Sequence, residues 1–214
     1  MQKPACRGLY AITDTLLLPD HQRLIVAVEQ AILGGARLIQ YRDKSTDADR
    51  RLTQAQALHA LCRRYEIPLI INDDVELAAQ VGAAGVHIGR DDPDLTTARA
   101  CLGETALIGV SCYDRLDLAR AAERAGADYV AFGAFFPSPT KPTEVRASLE
   151  LLREGRAVLH VPIVAIGGIT SDNAPLLLEA GADALAVVSG VFGQPDIQTA
   201  ARRYAALFVG GIPS

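Results

Sequence analysis

Short apolar runs and helix-forming stretches alternate along this chain from end to end, and that alternation restricts its architecture more than any single residue does. The runs lie at 9–13, 38–42, 69–72, 86–89, 107–112, 129–133, 163–167 and 184–189. Between them stand Ala-, Leu- and Arg/Glu-rich stretches with helical spacing, such as 47–64, 116–125 and 174–180. A strand then a helix, repeated about eight times with short connections, predicts a parallel sheet. At roughly 27 residues per unit the α/β pattern suits a single (β/α)8 TIM barrel covering residues 1–214. An open doubly wound sheet shares the alternation, and the strand count favours the barrel.

An internal echo agrees. Gly-Gly-Ala-Arg-Leu-Ile begins at Gly34, Gly-Ala-Ala-Gly-Val-His at Gly82, Gly-Ala-Asp-Tyr-Val-Ala at Gly126 and Gly-Ala-Asp-Ala-Leu-Ala at Gly181. In each, a glycine closes a helix in the left-handed conformation and a strand follows almost at once.

Composition then narrows the function. With 214 residues, 50% of them hydrophobic, and no linker, one substantial core is expected. A net charge of -4 argues against a general nucleic-acid binder, which needs a basic face. Any anionic ligand must be met by a local cluster. Cys6, Cys62, Cys101 and Cys112 show neither CxxC nor His-paired metal spacing, so free thiols in a reducing cytoplasm are expected. The first residues lack the apolar core of a secretion signal, and no run reaches the ~20 apolar residues of a membrane helix. The expectation is a cytoplasmic protein with no membrane or nucleic-acid partner; oligomeric state, homo-oligomer included, stays open.

In such a barrel the chemistry sits where strands end. The run at 129–133 empties into a loop with prolines at 137, 139 and 142 that presents Ser138, Thr140 and Lys141. Prolines hold that loop extended, and hydroxyls beside a lysine suit phosphate oxygens; an ordinary solvated loop is the alternative. Strand 2 ends in Gln40-Tyr41-Arg42-Asp43-Lys44. Alternation puts Gln40, Arg42 and Lys44 on one side as an anion clamp, with Tyr41 and Asp43 pointing elsewhere; a rim paired through Asp43 is equally compatible. Strand 3 ends in Asn72-Asp73-Asp74 and strand 4 runs into Gly89-Arg90-Asp91-Asp92. A carboxylate from each neighbouring strand end suits Mg2+, while Asp73 or Asp74, and Asp92 or Asp94, equally suit helix N-caps.

Strand 5 offers Ser111 as a phosphate donor; no base stands near it in sequence, and Cys112 and Tyr113 read as packing residues. Strands 7 and 8 end in Gly167-Gly168-Ile169 and Val188-Ser189-Gly190, where glycines would let a phosphate reach backbone N–H groups. His87, inside strand 4, reads as a satisfied interior histidine rather than a general base. The inventory lacks a paired acid and base. It suits a reaction in which a diphosphate departs and its charge is neutralised.

In order, Gln40 to Lys44, Asn72-Asp73, Gly85 to Gly89, Gly109 to Ser111, Phe136 to Lys141, Ala165 to Ile169 and Val188-Ser189 resemble the motif set of thiamine phosphate synthases across almost the whole chain. That family joins hydroxymethylpyrimidine diphosphate to a thiazole phosphate with Mg2+, releasing pyrophosphate. The resemblance implies that Gln40, Tyr41, Arg42, Asp43, Lys44, Asn72, Ser111 and Lys141 hold the pyrimidine diphosphate. Within that set Arg42, Lys44, Lys141 and Ser111 are implied to be catalytic. It further implies Asp73 and Asp92 as metal ligands, and Ser138, Pro139, Thr140, Gly168, Val188 and Ser189 around the thiazole phosphate. A carbocation captured by the thiazole nitrogen agrees with the missing base. Rival readings are a thiazole tautomerase of the same fold and a barrel that binds thiazole phosphate without turnover.

Overall fold

Each apolar run becomes a parallel strand because its side chains are needed on both faces of the sheet. The strands are β1 (Gly8–Ile12), β2 (Ala36–Tyr41), β3 (Leu69–Asn72), β4 (Gly85–Ile88), β5 (Leu107–Tyr113), β6 (Tyr129–Gly133), β7 (Ile163–Ile166) and β8 (Ala184–Val187). The helices are α1 (His21–Leu33), α2 (Ala48–Arg64), α3 (Val75–Val81), α4 (Leu95–Leu102), α5 (Leu116–Arg124), α6 (Leu149–Val158), α7 (Ala174–Glu179), α8 (Ser189–Phe192) and α9 (Ile197–Ala206). This computed structural model describes residues 6–89, 94–137 and 146–209. The strands pair in sequence order and β1 pairs with β8, which closes the barrel.

Alternation along each strand divides the core in two. Leu9, Ala11, Ile39, Ile71, Val86, Ile108, Val130 and Leu185 face outward and pack with the helices. Tyr10, Ile12, Leu38, Ile70, Leu107, Tyr129, Val164 and Ala184 face inward and fill the barrel. Gly109 makes room for that filling: a Cβ there would lie 2.0 Å from the Tyr129 ring.

Caps set the helix starts. Asp20, Asp47, Asp74, Asp94, Ser148 and Asp196 each accept a backbone N–H from the first turn of α1, α2, α3, α4, α6 and α9, at about 1 kcal/mol apiece. Of the two aspartate pairs, therefore, Asp74 and Asp94 are the caps.

The Gly-Ala-Asp echo is a repeated junction. Gly126 and Gly181 take φ of 94° and 108° as their helices end. Two residues on, Asp128 accepts the Ile108 N–H at 2.8 Å and the Arg99 guanidinium at 2.6 Å. Asp183 accepts the Ile163 N–H at 2.9 Å and Arg156 at 3.1 Å. Each carboxylate ties the beginning of one strand to the helix before it, at the end of the barrel opposite the chemistry.

Candidate functional site

A cavity of about 380 Å³ opens at the carboxyl ends of the strands. Its first wall is made of side chains. Gln40 and Arg42 reach it from the end of β2, Asn72 from β3, His87 from β4 and Ser111 from β5. Arg42 is anchored twice: its N–H bonds the Thr13 hydroxyl at 3.0 Å, and its guanidinium pairs with Asp14 at 3.0 Å. The Asp14 side chain is only 6% exposed, so this pair is largely shielded from water. Sequence reading passed over Asp14, although the rule that strand ends carry the chemistry applies equally to the residue just after β1.

Alternation turns the Tyr41 and Asp43 side chains away from the cavity, as the strand pattern leads one to expect, and neither lines it. Tyr41 is buried among the outward-facing core residues and donates to Gln54 at 2.8 Å, with Asp43 at 3.3 Å. Asp43 accepts the Ser45 N–H at 2.7 Å and pairs with Arg50 on α2. Burial works to raise its carboxyl, but the Ser45 bonds and Arg50 outweigh that and hold it below the usual range. Lys44 is exposed, pairs with Asp73, and does not line the cavity.

Beneath the mouth runs a series of hydrogen bonds. Gln40 Nε2 donates to the Tyr10 hydroxyl at 2.7 Å, and that hydroxyl lies 2.9 Å from Tyr129. Tyr129 lies 3.1 Å from His87 Nδ1, and His87 Nε2 lies 2.9 Å from Ser111 Oγ. The partner of Ser111 that sequence proximity could not supply is thus His87, brought in from the adjacent strand β4. Burial pushes its imidazole down to about 4, partly countered by Asp73, so the ring is neutral and a poor proton acceptor at neutral pH. Burial also raises both tyrosine hydroxyls well above their ordinary range. Tyr113 corrects another expectation: it lines the cavity in a left-handed backbone, φ 55°, whereas Cys112 is buried in the core.

The opposite wall is built from glycines and small or aliphatic residues. Gly167, Gly168 and Ile169 after β7 meet Val188, Ser189 and Gly190 at the start of α8. Close packing behind the wall requires these glycines. A Cβ on Gly168 would stand 2.4 Å from the Pro137 carbonyl, and one on Gly167 2.3 Å from the Ala134 Cβ. They let the loop after β6 pass close against β7, and so shape the wall from behind.

Asp73 stands at the end of β3 in a left-handed conformation, φ 63°, unusual outside glycine. Its carboxylate and the Asn72 amide supply hard oxygens of the kind Mg2+ takes. Asp73 is a quarter exposed, which leaves room for waters or phosphate oxygens to complete a shell, and Lys44 already balances its charge. Among the described residues no group of three or more His, Cys, Asp or Glu gathers as a metal site. Asp92, Ser138, Pro139, Thr140 and Lys141 lie outside the described residues.

Comparison with known proteins bears on this geometry. A family model described as thiamine monophosphate synthase matches residues 9–191. The thiamine-phosphate synthase of Nitrosococcus oceani is 59% identical over 198 residues, 92% of this chain and 91% of that protein. That of Thioalkalivibrio sulfidiphilus is 56% identical over 202 residues, 94% of this chain and 95% of that protein. Among solved structures, thiamine phosphate pyrophosphorylase from Pyrococcus furiosus superposes with a TM-score of 0.86 at 34% identity, covering 97% of this chain and 98% of that one.

Proposed function

The chain belongs to the thiamine monophosphate synthase family, and from that premise we propose that it joins hydroxymethylpyrimidine diphosphate to hydroxyethylthiazole phosphate, giving thiamine monophosphate and pyrophosphate. The bond that breaks joins the pyrimidine methylene carbon to the diphosphate oxygen, which leaves with both electrons. The bond that forms uses the thiazole nitrogen lone pair on the same carbon. No proton moves at either centre, so a neutral His87 and the absence of a paired acid and base are what such chemistry needs.

The demand on the protein is electrostatic: charge accumulates on the departing pyrophosphate. Arg42, fixed by Asp14 and Thr13, faces the cavity where that charge develops, and Lys44 and Lys141 are the other cations of the reading. Gln40, Asn72 and Ser111 orient the pyrimidine diphosphate. Asp73 and Asp92 are the residues that would hold Mg2+, which when bound neutralises diphosphate oxygens. The wall of Gly168, Val188 and Ser189, with Ser138, Pro139 and Thr140, receives the thiazole phosphate. The four cysteines, none in a disulfide, fit a cytoplasmic setting.

The observation that carries the reading is that one cavity has an arginine-bearing polar wall and, opposite it, a glycine-rich wall at the ends of β7 and β8. Incubating the protein with both substrates and Mg2+ should yield thiamine monophosphate and pyrophosphate in equal amounts. Lys141→Ala should sharply reduce turnover while thiazole phosphate still binds. Wild-type protein that binds thiazole phosphate but makes no product would overturn the synthase reading in favour of a binding-only barrel.

A further inference from the structure

The hydrogen-bond series beneath the mouth can be counted proton by proton, and the count has a direction. Tyr10 and Tyr129 are at most 1% exposed, so a phenolic proton left there without an acceptor would be strongly disfavoured. Gln40 donates its amide N–H to the Tyr10 oxygen. The Tyr10 proton then has one other partner among its hydrogen bonds, the Tyr129 oxygen. Tyr129, having accepted, sends its own proton to His87 Nδ1. The imidazole must then carry its hydrogen on Nε2, which donates to Ser111 Oγ. Every acceptor in the series is used, and the Ser111 proton is left over for the cavity.

Other proton placements fail on the same count. If His87 donated from Nδ1, Tyr129 would have to donate back to Tyr10, and the Tyr10 proton would be stranded between two donors. A doubly protonated ring strands it in the same way. Only rotation of the Gln40 amide by half a turn reverses the series, and it reverses all members together, because each hydroxyl both accepts and donates.

We propose that this series acts as one polarised unit in which Tyr10 and Tyr129 are positioning residues: they hold His87 as the Nε2–H tautomer, turn the Ser111 hydroxyl into the cavity as a donor, and leave the Gln40 carbonyl oxygen as an acceptor. The barrel mouth is then asymmetric. It favours a ligand offering an N–H toward β2 and a lone pair toward β5, and it rejects the reversed pattern because a buried polar group would go unpaired. The effect on turnover rests on the reading of Gln40 and Ser111 as substrate contacts; the tautomer does not.

The test is nitrogen-15 NMR of the histidine rings in the intact chain at pH 7.5, with His87→Gln used to assign the His87 signals. A neutral Nε2–H pattern in the wild type is expected; an Nδ1–H pattern or an imidazolium pattern overturns the proposal. Tyr129→Phe keeps the ring stacked on His87 (interplanar angle 21°) and removes the link. It should mix the two tautomers and lower kcat/KM for the pyrimidine substrate about tenfold, while KM for thiazole phosphate stays put. Should that variant not fold, Tyr10→Phe cuts the series one step earlier and should act in the same direction. An unchanged tautomer in the folded variants would sink the idea that the tyrosines set it. An Nε2–H ring in a protein without synthase activity would instead remove the reaction assigned above and leave the polarised unit standing.

Discussion

The two walls of the cavity are built by opposite means. On the β2 to β5 side the lining is polar side chains held by others: Arg42 by Asp14, Gln40 by Tyr10, Ser111 by His87. On the β7 and β8 side the lining is glycines and aliphatic residues with Ser189, and the glycines admit a neighbouring loop. The first kind of wall can be weakened one charge at a time. The second fails only when the backbone is forced to move.

The sharpest way to break this contrast is Arg42→Ala. It removes a cation facing the cavity and leaves Asp14 buried without its partner, so kcat/KM for the pyrimidine diphosphate should fall on the order of 10³-fold. Steady-state kinetics should show KM for thiazole phosphate little changed. Equal losses for both substrates would mean that the walls are not separate.

Gly168→Ala strikes the other wall. With φ at 62° and a carbonyl 2.4 Å from the new Cβ, it should cost about 3 kcal/mol of folding stability. Urea denaturation measures that cost. Binding of thiazole phosphate should weaken more than binding of the diphosphate; the reverse order would place the two phosphates the other way round.

The smallest effect concerns pH, since only the side-chain wall contains a group to titrate. His87 is depressed from 6.5 to about 4 in the native state. Below pH 6.5 the unfolded chain takes up a proton that the folded chain refuses, so stability is full above 6.5 and declines as pH falls toward 4. Between pH 6.5 and 5 the wild type should lose about 1.6 kcal/mol more than His87→Gln. Parallel urea titrations of the two proteins check it, and matching slopes would show that burial does not hold the ring neutral.

Much of this was legible before any coordinates. Strands 3 and 6 begin and end where their apolar runs do, and the remaining strands differ from the runs by one or two residues at an end, because inward and outward faces both demand apolar side chains. The side-chain wall announced itself by residue type at strand ends. Its supports did not. Tyr10 and Tyr129 are 119 residues apart and look like ordinary core aromatics until closure of the barrel brings their hydroxyls together. Asp14, just past the first apolar run, gave no sign of its pairing with Arg42. The wall at β7 and β8 was marked in the sequence chiefly by glycines, and a glycine does not say whether a ligand or a neighbouring loop needs the space. Asp73 and Asp74 show the same limit: type and spacing allowed either to cap α3, and the hydrogen bond to Leu77 selects Asp74.

The paired Gly-Ala-Asp junctions carry a consequence of their own. Both fasten strand beginnings to helices at the floor of the barrel, through Arg99 with Asp128 and Arg156 with Asp183. The mouth therefore inherits a frame whose closure owes nothing to the groups that meet substrate. Residues at the two ends can drift on separate terms, one answering to chemistry and the other to architecture.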